Sequence, residues 1–350
     1  MKAAVLRDGA MVVEQLPDLT PGPGQVLVEP IACGICGSDL HTVDHAHELV
    51  ESSRAAGGGG FADGFDPNKP VVMGHEVSCR VLAVGDGVTG VSEDGAYAAM
   101  PFLETPHGRV IPGYSNGFPG GYSDQMLLSP YALLPVPNGL DPTIAALTEP
   151  MAVGLHAMNE SSIEPGRIAI VVGAGPVGLA IIASLAASGI DTIIASDFSP
   201  KRRAVAAQMG AHVVVDPSTD DPIEAWRAAG GRPVDEGGTP PVIYEAVGVP
   251  GMIDQIMAAA PPRSEILVAG VCIPPDSFRP TLGIYKHLSL KFVLGWTPEE
   301  FATSLHNLAQ GNIDGETLVT GSVGIDGVPQ AFADLADPEQ HVKILVRPDL

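Results

Sequence analysis

Two domains, one mainly β and one a doubly wound parallel α/β sheet, are expected from three observations on this 350-residue chain. The length exceeds what a single hydrophobic core usually fills, about 250 to 300 residues. From Lys2 to about Arg80, short alternating runs are punctuated by Pro21, Pro23 and many glycines, a pattern of small twisted β structure. From about residue 152, extended runs alternate with helical ones, which implies a parallel sheet with helices on both faces. The boundaries expected are 1–151 with 297–350 for the first domain and 152–296 for the second.

Taken in order, the first domain should carry strands at Ala3 to Leu6, Met11 to Gln15, Gln25 to Pro30 and Glu76 to Val84. The glycine-rich stretch from Ser53 to Gly64 packs poorly, so it is expected as an exposed mobile loop and a candidate lid. The second domain should carry strands at Ile168 to Val172, Thr192 to Ser196, His212 to Val215, Val242 to Ala246, Ile266 to Ala269 and Leu288 to Leu294. Helices should start at Ser199-Pro200, where a hydroxyl caps and proline takes the first turn, and at the capping box Thr297-Pro298-Glu299-Glu300. A last strand, Val342 to Val346, is expected to rejoin the first domain.

The formal charge of -23 opposes binding to nucleic acid or anionic lipid, since affinity for phosphate rests on Lys and Arg. Charges at Arg7, Asp8 and Glu14 leave no apolar core for a secretory signal, so a cytoplasmic protein with no membrane partner is expected. Residues 168–190 are uncharged and long enough in principle to cross a bilayer. Gly173, Gly175, Pro176 and Gly178 interrupt them, and β-branched residues give way to Ala and Leu, so a buried strand running into a buried helix is expected.

Two short segments carry candidate metal chemistry: Cys36-Gly37-Ser38-Asp39-Leu40-His41 and Gly74-His75-Glu76. Cys36, His75 and Glu76 offer a thiolate, an imidazole and a carboxylate, a mixed set that suits a catalytic zinc with one position left open. Ser38 and His41 can move protons. Cys33 and Cys36 also form a CxxC, which admits a redox pair or half of a structural zinc site. No second CxxC completes that site, and the four cysteines, Cys33, Cys36, Cys79 and Cys272, are too scattered for a disulfide framework.

The second domain opens on Gly173-Ala174-Gly175-Pro176-Val177-Gly178, after a strand and before a helix. The first glycine permits the turn, the second admits a pyrophosphate, and the third lets helix and strand pack. Asp197, 24 residues after Gly173, stands where a carboxylate accepts the ribose hydroxyls of NAD and repels a 2'-phosphate. NAD is therefore favoured over NADP, although Lys201, Arg202 and Arg203 follow closely and could instead hold that phosphate; the alternative is a solvated helix start with one arginine, Arg202, flattened on the adenine. Val271 and Cys272 follow a strand at the carboxyl end of the sheet and are candidates to line the nicotinamide pocket; Cys272 serves equally as a small hydrophobe.

With Glu149-Pro150 added, the order of these motifs resembles the zinc-dependent medium-chain dehydrogenase/reductase family over nearly the whole chain, most of all its sorbitol, threonine and butanediol dehydrogenase branch. The resemblance implies a GroES-like catalytic domain, a Rossmann domain, a cleft between them and a homodimer or homotetramer. It implies Cys36, His75 and Glu149 as zinc ligands, with Glu76 shared, occasional or outer-shell. It also implies that zinc polarises an alcohol, whose proton passes by Ser38 and the cofactor ribose to His41 as hydride goes to NAD. The stretch from Glu93 to Gln125, where many members hold a structural zinc, contains no cysteine. One catalytic zinc per chain and no structural zinc follow.

The expected activity is oxidation of a small secondary alcohol, polyol or hydroxy-amino acid. The rivals are a carbonyl reductase using NAD(P)H and a non-catalytic NAD-binding sensor or structural protein. The 39 positions separating Cys36 from His75 exceed the family's habit and leave the substrate open. His45 and His47 are expected at the surface, His156 as a packed or hydrogen-bonded group, and Trp296 either at the substrate pocket or at a subunit contact.

Overall fold

Alternation in the first 150 residues becomes antiparallel sheet. Strands β1 (Lys2–Arg7) and β2 (Ala10–Gln15) form a hairpin. Its two-residue turn, Asp8-Gly9, has φ of 52° and 77°, the mirror-image turn that suits the twist of paired strands. Then follow β3 (Val26–Gly34), β4 (Glu76–Val84), β5 (Ala96–Ala99), β6 (Leu103–Thr105), β7 (Gly108–Val110), β8 (Met126–Leu128) and β9 (Leu133–Pro135). Helix α1 (Gly37–Ala55) lies between β3 and β4, and α2 (Pro142–Ala145) and α3 (Thr148–Asn159) follow β9. The computed structural model describes residues 1–57, 64–137 and 139–350, and it divides the chain into a unit of Met1–Glu149 with Val319–Leu350 and a unit of Pro150–Leu318.

The second unit is a six-stranded parallel sheet. Its chain order is β10 (Ala169–Val172), α4 (Pro176–Ala187), β11 (Ile193–Ser196), α5 (Pro200–Gln208), β12 (Val213–Val215), α6 (Pro222–Ala228), β13 (Val242–Glu245), α7 (Met252–Ala259), β14 (Glu265–Val268), α8 (Pro280–Lys286), β15 (Ser289–Phe292) and α9 (Pro298–Ala309). Spatially the strands run β12-β11-β10-β13-β14-β15. The order reverses between β10 and β13, the switch point at which doubly wound sheets bind ligands. Ile170, Ile194, Ile243 and Ile266 pack with Trp226 into one buried cluster, as strands covered on both faces require. The uncharged run 168–190 is thus β10 and α4, and no helix of the described residues is long and apolar enough to cross a membrane.

The chain returns to the first unit through β16 (Gly321–Val323), α10 (Val328–Leu335) and β17 (Ile344–Val346). That unit's main sheet runs β16-β17-β3-β4-β5-β9, with β8 also on β3. The sequence boundary at 297 differs from this division, which leaves α9 with the second unit. The reason is a polar tie: Glu300 on α9 accepts hydrogen bonds from Asn159 on α3 and pairs with His156 Nδ1 at 2.9 Å. Phe301, Leu305 and Leu308 bury the apolar face of the same helix.

The expected loop at 53–64 is also different. Ser53, Arg54 and Ala55 complete the last turn of α1, whose end is closed by amides of Ala56 and Gly57 donating to Ser52 O and Arg54 O at 3.0 Å. Leu49 and Val50 bury one side of that helix, so packing extends it into a polar stretch. His45 and His47 sit on it, near a kink at His45. The lid expectation itself falls on residues 58–63, outside the described residues.

Candidate metal centre and cofactor turn

Pairing of two strands explains why residues 39 positions apart meet. β3 and β4 are antiparallel with Gly34 opposite Glu76, so the end of one strand adjoins the start of the other. Cys36 follows β3 and precedes α1, while His75 immediately precedes Glu76, the first residue of β4. One ligand atom from each of Cys36, His75 and Glu76 lies within 4.8 Å of the others. His75 is 9 % and Glu76 1 % exposed. A sulfur, an imidazole and a carboxylate in one buried place fit the donor chemistry of zinc.

Glu76 does not stand alone. Lys343, fully buried just before β17, donates through Nζ to Glu76 Oε1 at 2.6 Å, pairs with Oε2 as well, and reaches Ile35 O at 3.0 Å. Burial would lower the lysine's pKa, but Glu76, Cys36 and Glu149 outweigh it and hold the ammonium above its ordinary value. Gly34 makes room for the pair: a Cβ there would fall 1.8 Å from Glu76 Oε2 and 2.9 Å from Lys343 Cε. Sequence reasoning passed over Lys343, although a lysine inside Val342-Lys343-Ile344-Leu345-Val346 was itself a signal.

A second buried carboxylate supports His75. Asp39, in the first turn of α1, accepts from Cys36 N at 3.1 Å and from Tyr122 Oη at 2.5 Å, and its Oδ1 lies 3.5 Å from His75 Nδ1. Burial would raise Asp39, yet His75, Tyr122 and the Cys36 amide hold it below the ordinary carboxylate range. Burial would lower His75, yet Asp39 and Cys36 raise it well above the ordinary imidazole value. A carboxylate behind a ligating imidazole is the usual device for orienting the ring. Asp39 stood within the motif and was assigned no role.

The other expected residues are placed as follows. Ser38 is half-buried and His41 exposed, three residues apart on α1 and so on one helix face. Partial burial, then the nearby His45, lower the His41 pKa. Glu149 is 8 % exposed in the first turn of α3 and lies close enough to Lys343 to act on its charge. Cys33 is buried, and desolvation followed by the charge of Glu76 pushes its thiol well up, which opposes a thiolate there.

In the second unit, Gly173 has φ of +92°, and a Cβ at Gly178 would meet Gly173 O at 1.9 Å. These two glycines make the turn and its closure onto α4. A Cβ at Gly175, by contrast, would approach only Arg202 Nη1, at 4.0 Å. That open space lies at the N-terminus of α4, where Pro176 and Val177 begin the helix and orphan amides favour an anion. Asp197 accepts from Ala174 N and Ser199 N, each at 2.8 Å, with Arg202 Nη1 at 4.0 Å. Ser199 caps α5 by accepting from Arg202 N. Beyond β14, Val271 is 40 % exposed and touches the space above Gly248, while the Cys272 thiol donates to Pro274 O. Trp296 packs on Phe301 at 4.9 Å.

Within the cysteine-free stretch from Glu93 to Gln125, residues 103–110 form the hairpin β6–β7. Arg109 pairs with Glu104 at 2.8 Å and lies over Phe102 and Tyr131, while Leu103 joins Leu27 and Leu127 in a small apolar cluster.

Residues 22–138 match the model of the alcohol dehydrogenase GroES-like domain, and residues 176–310 match that of the zinc-binding dehydrogenase domain. The chain is 30 % identical over 358 residues to (R,R)-butanediol dehydrogenase of Bacillus subtilis (strain 168), covering 96 % of each. It is 26 % identical to sorbitol dehydrogenase of the same organism, over 100 % of this chain and 98 % of that one. The crystal structure of 2R,3R-butanediol dehydrogenase from Bacillus subtilis superposes with a TM-score of 0.82, covering 99 % of both chains at 30 % identity. The same fold is found, at 24 % identity, TM-score 0.81 and 99 % coverage of both chains, in a zinc-binding dehydrogenase from Sinorhizobium meliloti 1021 bound to NADP.

Proposed function

The chain belongs to the zinc-dependent medium-chain alcohol dehydrogenase family, and on that premise we propose that it oxidises small secondary alcohols or polyols with a nicotinamide dinucleotide, or reduces the matching ketones. The observation that carries this reading is the buried meeting of Cys36, His75 and Glu76. Zinc would supply Lewis acidity to the alcohol oxygen, and the nicotinamide would take the hydride.

Cys36 and His75 would hold the metal, with Glu76 or Glu149 as the third ligand. The other carboxylate would be exchangeable or outer, since four protein ligands would close the sphere, and Glu76 is tied to Lys343 meanwhile. Asp39 fixes the imidazole of His75, and the fully buried floor of Lys343, Tyr122 and Asp39 keeps water from the ligands' inner side. Ser38 accepts the alcohol's proton, and His41, exposed on the same helix face, releases it to water.

Gly173, Gly175 and Gly178 would cradle the pyrophosphate at α4, and Asp197 would receive the ribose. The carboxylate favours NAD over NADP, and Arg202, 4.0 Å away, would lie along the adenosine. One zinc per chain and a homodimer or homotetramer complete the proposal. The relatives named for butanediol and sorbitol make vicinal diols the first substrates to try.

The test is a panel of diols, polyols and ketones assayed with NAD and NADP, with zinc quantified and mass measured by sedimentation. Turnover with NAD, about one zinc per chain and loss of turnover but not of NADH binding in Cys36→Ser are expected. Two zinc ions, preference for NADPH, or a fully active Cys36→Ser would each defeat the corresponding part.

A further inference from the structure

Resting on the proton path just proposed, we propose that Tyr114 is a positioning residue that sets the hydroxyl of Ser38 for proton transfer. Tyr114 Oη donates to Ser38 Oγ at 2.9 Å and lies 3.3 Å from Asp39 Oδ1. Its ring leans on His75, with centroids 5.4 Å apart, and the residue is 3 % exposed.

Ser38 stands in the first turn of α1, where its main chain is fixed but a hydroxyl can take three staggered positions. A serine hydroxyl has one proton to give and two lone pairs to receive. With one lone pair filled by Tyr114, a single acceptor position and a single donor remain. That is what a relay needs, because one proton must arrive from the alcohol as another leaves. Without the phenol, Oγ could turn its proton toward any neighbouring acceptor, and only part of the population would face the alcohol.

The segment that delivers Tyr114 is built for the purpose. Gly120, Gly121 and Tyr122 donate backbone hydrogen bonds to Val72, Gly74 and Met73 at 2.8 to 3.0 Å. A Cβ at Gly113 would fall 2.8 Å from Gly74 O, and one at Gly120 would fall 2.4 Å from the same atom. Glycine on this strap therefore lets its backbone lie directly on the residues that precede His75. The tyrosine next to Gly113 is thereby brought from 76 positions away onto Ser38.

The test is a double-mutant cycle of Tyr114→Phe and Ser38→Ala, reading kcat, KM, the solvent deuterium isotope effect, zinc content and NADH affinity. Tyr114→Phe keeps the ring against His75 and removes only the hydroxyl. We expect kcat to fall about tenfold with a larger solvent isotope effect, while KM, zinc and NADH binding stay unchanged. In the Ser38→Ala background the same change should cost nothing further. Unaltered kcat in Tyr114→Phe, the same tenfold loss in both backgrounds, or loss of zinc or NADH binding would each overturn the inference. A parent protein that turns over no alcohol defeats the proposed function itself and this inference with it, a result distinct from an active parent indifferent to Tyr114→Phe.

Discussion

The proposed metal centre and the proposed dinucleotide turn are built on opposite principles. Around Cys36 the work is done by buried side chains that answer one another: Lys343 to Glu76, Asp39 to His75, Tyr122 to Asp39, Tyr114 to Ser38. At the turn the work is done by main chain. Gly173 and Gly178 touch through a space no side chain could share, and Asp197 spends its two oxygens on the amides of Ala174 and Ser199. The first site is costly, because buried charges must be matched, and the second needs only the absence of Cβ atoms.

The largest effect is expected from breaking the match at the metal centre. Lys343→Met leaves the buried Glu76 carboxylate without its partner, a loss of about 3–5 kcal/mol, and denaturant unfolding of the variant should show it. A loss below about 1 kcal/mol would mean that the pair behaves like a surface ion pair. Next, Gly178→Ala attacks the turn through main chain alone: its methyl cannot fit beside Gly173 O, and overpacking of this kind costs about 1–3 kcal/mol. NADH affinity, followed by fluorescence, should fall while zinc content holds. Unaltered NADH binding would show that the turn has slack.

A smaller effect sharpens the contrast, because the second unit also holds a side-chain cluster, at Glu300. Its carboxylate accepts from Asn159 and Thr297 N and pairs with His156. Burial raises its pKa, but these partners outweigh that and lower it. A carboxyl lowered in the folded state adds stability above its unfolded pKa, about 4.3, and that stability is lost as pH falls through the folded value. Glu300→Gln should therefore cost about 1 kcal/mol near neutrality and flatten the acid side of the stability profile; an unchanged profile would count against it. The least effect is expected at Arg109. Its ion pair and ring contacts are exposed, so Arg109→Ala should cost less than about 1 kcal/mol in thermal unfolding, and a larger loss would mean that the hairpin β6–β7 depends on it.

The same contrast explains what could be read from the chain. The turn was legible because its reasons are local: Gly173, Gly175, Gly178 and Asp197 lie within one strand, one helix and the next strand. Cys36, His75 and Glu76 were legible as donor types, but the pairing of Gly34 with Glu76 that joins them belongs to the sheet. Lys343 and Tyr114 were not assigned, since each reaches the site over a long separation and neither stands in a motif. The start of the stretch from Ser53 was read as loop because glycines dominate it, whereas burial of Leu49 and Val50 carries α1 through Ala55. The place of α9 was not legible for a like reason: Glu300, read as a cap, is one and also binds α3.

The central claim, that a single mixed-donor zinc site forms on Cys36 and His75, is tested most directly by X-ray absorption at the zinc edge of the purified protein. One sulfur at about 2.3 Å with nitrogen and oxygen neighbours at about 2.0–2.2 Å, losing the sulfur in Cys36→Ser, is the result predicted. Two or more sulfur neighbours, with Cys33 joining Cys36 as a CxxC pair, would contradict it.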